Sequence, residues 1–116
     1  MFADPQTVTV NSVAKVMARV LSDGKSAVYQ LADQSFTLKI SHLLSKGRIR
    51  SMMRVDQRAI VPDPLTAVND YETLGVYLVI DRPEVGFTQT QVEQLIAGIE
   101  TWLDSTSIGK LYGQES

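Results

Sequence analysis

The chain is 116 residues long, enough for one domain with a buried core, and 44% of it is hydrophobic, which excludes a disordered chain. With no cysteine, disulfides, thiolate metal sites and cysteine nucleophiles are excluded as well. The net charge of −2 is unevenly spread: between Lys39 and Arg58 six basic residues face one acid, leaving +5 there and −7 elsewhere, as expected of a polyanion-facing patch on an otherwise acidic surface.

The opening Met1 to Gln6 has neither a basic stretch nor an apolar core, so nothing points to export. Thr7 to Val10 alternates and is rich in β-branched residues, which predicts a first strand punctuated by Asn11-Ser12. Val13 to Leu21 fits either a strand or a helix. A strand is preferred, because Asp23-Gly24 and a short partner run, Ala27 to Leu31, follow it. Phe36 to Leu44 alternates clearly, with Phe36, Leu38, Ile40, His42 and Leu44 on one face and Thr37, Lys39, Ser41 and Leu43 on the other. Lys46-Gly47 then turns into a long strand, Arg48 to Val61.

Arg48, Arg50, Met52, Arg54, Asp56 and Arg58 occupy alternate positions of that long strand, so four arginines share one face. Neighbouring members stand about 7 Å apart, close to the phosphate repeat of an extended nucleic-acid strand. An exposed, solvated charged strand is the plainer reading of the same residues. Asp56 would repel phosphate from the middle of this face unless it pairs with Arg54, Arg58 or a cross-strand Lys39.

Pro62-Asp63-Pro64 ends the strand, a loop runs to about Glu72, and Thr73 to Asp81 forms the last strand. Its run Val76 to Ile80 is the longest apolar stretch and is too short to cross a bilayer, so no membrane partner is expected. Tyr77, beside open space expected at Gly75, is a candidate platform for an unpaired base; cross-strand packing is its plainer role.

A helix is predicted after Gly86, with Thr88 as N-cap and Gln91 three residues on. Val92, Leu95, Ile96, Ile99, Trp102 and Leu103 recur at helical spacing as one apolar stripe. Ser105 to Ser107 is expected to fray, and Ile108 to Gly113 to make a short apolar tail of one helical turn. The whole reads as an α+β domain over residues 1–116, with a β-sheet region (1–86) and a C-terminal helical region (87–116). The sheet is an antiparallel meander of about six strands.

Its apolar face needs a cover. Five strands span roughly 24 Å, whereas one helix covers about 10 Å. A symmetric dimer in which each helix lies across its partner's sheet supplies the remainder, with the six stripe residues as the interface. The alternative is that the N-terminal strands fold back as a second layer. His42 reads as a packing residue. No glycine-rich phosphate loop, nucleophile elbow or metal-spaced histidine pair occurs, so neither an enzyme nor a cofactor is expected.

The Thr7 to Asn11 strand, the arginine-rich strand ending at Pro62, the run Leu74 to Pro83 and the tail Gly109 to Ser116 together resemble the coat proteins of the levivirus-type single-stranded RNA bacteriophages. That resemblance implies an interlocked homodimer with a ten-stranded sheet facing inward, and an icosahedral shell around the genome. The protein's place would be the virion, assembled in the bacterial cytoplasm. It implies RNA contacts at Thr37, Lys39, Ser41, Arg50, Arg54, Asp56, Arg58 and Tyr77, to which the strand pattern adds Arg48. It also implies repression of replicase translation through an RNA hairpin, and a loop near symmetry axes at about Asp63 to Glu72. A dimeric RNA-binding regulator that uses the same basic sheet without building a shell is the alternative.

Overall fold

A computed structural model describes residues 2–62, Leu65 and residues 69–116. Six strands are followed by two helices: β1 (Gln6–Val10), β2 (Val13–Ser22), β3 (Ser26–Gln30), β4 (Phe36–Ser45), β5 (Arg48–Pro62), β6 (Asn69–Pro83), α1 (Gln89–Trp102) and α2 (Ser105–Tyr112). The strands form one sheet in sequence order, β1 to β6. The first four pairings are antiparallel. The chain divides into two compact units, Met1–Arg82 and Pro83–Ser116.

Two tight hairpins set the register. Asn11 and Ser12 both have positive φ (51° and 64°), as do Lys46 and Gly47 (52° and 76°). Such two-residue turns match the natural twist of the strands they join. The second turn brings Ser45 opposite Arg48 and, counting outward, Lys39 opposite Arg54 and Thr37 opposite Asp56. Because the side-chain period is two, this register separates the faces of β4 and β5 completely.

The core of the sheet unit is Met17, Tyr29, Phe36, Leu38 and Ile40, with Val8, Val10, Ala27, Leu31 and Val55 packed around it. Val8 and Val10 belong to β1, so the N-terminal hairpin curls back over the apolar face of β4. The Lys15 ammonium caps the Phe36 ring at 5.1 Å. Arg19 ties the chain start down: its guanidinium donates to the Phe2 carbonyl (2.6 Å) and its backbone N–H to Asp4 Oδ1 (2.9 Å). The folded-back second layer is therefore realised in part. It roofs Phe36, Leu38 and Ile40 but leaves Leu74 and Val76 of β6 at 64% and 67% exposed.

Two boundaries differ from expectation. β6 begins at Asn69 instead of Thr73: the strand beside β5 takes in Asn69 to Glu72 although their local preference is for a turn, and Arg58 of β5 stacks on Tyr71 there. The tail forms a full second helix instead of fraying, because the Asp104 side chain caps it by accepting from the Ser107 N–H at 2.8 Å. α1 starts as expected, with both halves of the Thr88/Gln91 capping box present. No helix among the described residues is long and apolar enough to cross a membrane.

Candidate nucleic-acid interface

The face of the sheet opposite the core gathers the expected set. β4 contributes Thr37, Lys39 and Ser41, β5 contributes Arg48, Arg50, Arg54, Asp56 and Arg58, and β6 contributes Tyr77. All nine stand on this one face, spread over three adjacent strands. With strands about 4.8 Å apart and same-face residues about 7 Å apart, the set forms a two-dimensional array instead of a single row.

The cations in this array differ in state. Arg48 donates from Nε to Asp81 Oδ1 at 2.9 Å, with both side chains about half exposed. Arg54 donates from Nε to Asp56 Oδ1 at 2.9 Å, and the Asp56 side chain is only 15% exposed. Asp56 is thereby neutralised by Arg54, one of the three partners considered for it. Lys39 and Arg50 make no ion pair among the described residues and are exposed. Arg58 makes none among them either, and its guanidinium stacks 4.0 Å from the centroid of the Tyr71 ring.

The Arg54 guanidinium likewise lies over Tyr77, 5.5 Å from its centroid. Guanidinium on an aromatic face is attractive through the ring quadrupole, by about 0.5–1 kcal/mol where exposed. Tyr77 nevertheless remains 61% exposed, so it is not a buried packing residue. The space at Gly75, expected to be open, is filled: a Cβ there would lie 2.7 Å from Asp56 Oδ1 and 3.0 Å from Arg54 Nη2.

Tyr71 was missed from the sequence. It has the same strand parity as Tyr77, but it falls in a stretch that reads as loop. Half of the supposed loop from Asp63 to Glu72 lies outside the described residues, and its last four members belong to β6.

On the opposite face an apolar groove of about 330 Å³ runs beside the N-terminal hairpin, lined by Phe2, Val8, Ile40, Met53, Leu78 and Ile80 among others. His42 sits at its rim, exposed, with Nδ1 2.9 Å from Ser51 Oγ, and so is not the packing residue expected. In the helical unit α1 carries Val92, Leu95, Ile96, Ile99 and Trp102, and Leu103 is its C-cap. None of the six is buried, and Leu95 and Trp102 are 69% and 59% exposed.

Several solved structures share this fold. A virus-like particle of bacteriophage AVE019 superposes with a TM-score of 0.81 at 10% identity, covering 96% of this chain and 94% of that one. A virus-like particle of Beihai levi-like virus 21 gives 0.73 at 9% identity, covering 100% and 98%. An unassembled coat protein dimer, described as a bacteriophage RNA-binding dimer, gives 0.57 at 13% identity, covering 97% and 95%. No curated protein matches the sequence. The model of the phage phiCb5 coat protein family matches residues 3–83, which is most of the chain and all but the first two residues of the sheet unit. The chain belongs to the phage phiCb5 coat protein family.

Proposed function

We propose that this coat protein is the shell-forming subunit of a single-stranded RNA phage: it dimerises, assembles into a closed icosahedral particle, and holds genomic RNA against the basic face of its sheet. The observation that carries this reading is the two-sidedness of the sheet. One face collects Lys39, Arg50, Arg58 and two exposed tyrosines, and the other exposes Leu74 and Val76 beside an apolar groove.

Dimerisation is supported from two sides. β6 is fifteen residues long and stands at the end of the sheet, where an unpaired edge invites another strand. A second copy of β6 joining it about a two-fold axis would merge the two basic faces into one surface. The exposed stripe of α1, from Val92 to Leu103, then matches the uncovered apolar face in chemistry, and laying it on the partner's sheet would bury both.

For RNA, the free cations would give the sequence-independent share of binding through phosphate contacts. Thr37 and Ser41 would add hydroxyls, and Tyr77 a stacking surface. Assembly inside the bacterial host, where the RNA is made, belongs to the same proposal. So does binding of a genomic hairpin that silences replicase translation. The coat protein dimer of the same fold that is described as RNA-binding supports the RNA reading.

Binding of single-stranded RNA by the RNA-free protein should weaken with salt, with a log–log slope of roughly −0.7 per phosphate neutralised. A salt-independent affinity, or no affinity for RNA at low salt, would contradict an RNA-facing sheet. Addition of a hairpin from the phage's own replicase start, with unrelated hairpins as control, tests the repressor role by gel shift.

A further inference from the structure

We infer that Gly75 is a positioning residue for RNA, seating the Arg54–Asp56 pair beside Tyr77 as a charge-neutral subsite for an unpaired nucleobase and not for a phosphate. This rests on the RNA reading above and deepens it.

The geometry separates this spot from the rest of the basic face. Arg54 and Asp56 are joined Nε to Oδ1 at 2.9 Å, so the two charges cancel locally. Asp56 is mostly enclosed, and its Oδ1 occupies the volume that a Cβ at position 75 would take. Any other residue at 75 would put that carbon 2.7 Å from the carboxylate oxygen and 3.0 Å from Arg54 Nη2, so the Asp56 carboxylate and the Arg54 guanidinium would have to shift off their present seat. Glycine thus lets the pair lie flat across β6, with the guanidinium over the Tyr77 ring.

The chemistry offered there suits a base. Asp56 Oδ2 is an acceptor not used by Arg54, the guanidinium retains N–H donors, and the Tyr77 ring supplies a π face. A phosphate gains little from a site of zero net charge and would meet a carboxylate at its centre. Phosphates fit the unpaired Lys39 and Arg50 and the stacked Arg58 instead.

The test compares two probes, a single-stranded RNA oligonucleotide and the same backbone with abasic sites throughout, on RNA-free full-length protein. For Gly75→Ala we expect affinity for the base-bearing probe to fall about tenfold. Affinity for the abasic probe and the salt slope should stay at the wild-type value. Equal weakening on both probes, or none on either, overturns the assignment while leaving RNA binding itself intact. A wild-type protein that binds neither probe would remove the RNA reading as well.

Asp56→Asn provides a second variant should Gly75→Ala fail to fold. It frees Arg54 as a cation, so the salt slope should steepen by about 0.7. An unchanged slope would mean that Arg54 already meets phosphate, and would overturn the neutral subsite.

Discussion

At the scale of single residues, the exposed carboxylates do local structural work. Asp23 is held below the usual carboxylate range chiefly by the Lys25 N–H, Asp33 by the Ser35 hydroxyl and N–H, and Asp104 by the Ser107 N–H. Each binds a proton less readily folded than unfolded. Its contribution is therefore complete above the ordinary aspartate value near 3.8 and is lost as pH falls through the lower folded value. The protection factor of the Ser107 amide should accordingly fall on acidification below that value, and Asp104→Ala should show the low protection already at neutral pH. Equal protection in the variant would remove the cap from the account of α2.

The same scale shows where side-chain chemistry outran the sequence. That Asp56 must pair was legible from its place among arginines. Which arginine it takes was not, because Arg54 and Arg58 both flank it at the same spacing. Gly75 read as empty space because a glycine's emptiness is visible in a sequence, whereas what fills it comes from the neighbouring strand.

At the scale of elements, periodicity carried most of the fold. The alternation of Phe36 to Leu44 and of Arg48 to Arg58 fixed which residues share a face, and the turn at Lys46-Gly47 fixed their register. The Thr88 to Gln91 signal placed the start of α1 correctly. What failed were segments where tertiary pairing or a cap overrides local preference: Asn69 to Glu72, drawn into β6, and Ser105 to Ser107, drawn into α2.

The curl of the N-terminal hairpin was visible only as an alternative, since strand pattern does not say which way a hairpin folds. The apolar stripe of α1 was fully legible, and its exposure makes a definite prediction. Replacing Leu95 and Ile99 together with aspartate puts two charges into the surface that would be buried between copies. The soluble dimer should be lost, as measured by light scattering, with the protein aggregating or unfolding. A dimer of normal size and melting temperature from that variant would show that the stripe lies outside the interface.

At the scale of the whole molecule, the sheet unit presents three surfaces, a cationic face, an apolar face and an open strand edge at β6, which the proposed function assigns to RNA, to a partner and to the seam between two copies. Their separation follows from one property of β-structure, the alternation of side chains between faces, applied to a sequence that sorts arginines onto one side and leucines onto the other. Membership of a coat protein family fits a subunit whose apolar stripe and strand edge are both left uncovered in one copy.

The most direct test is electron microscopy of the protein expressed alone in bacteria, with nucleic acid assayed in the same fractions, for the wild type and for Lys39→Ser/Arg50→Ser/Arg58→Ser. The wild type should yield closed, uniform particles containing host RNA, and the triple variant should keep the dimer while losing most of that RNA. A wild-type protein that stays small and free of nucleic acid at every concentration, or a triple variant that packages RNA as well as the wild type, would contradict it.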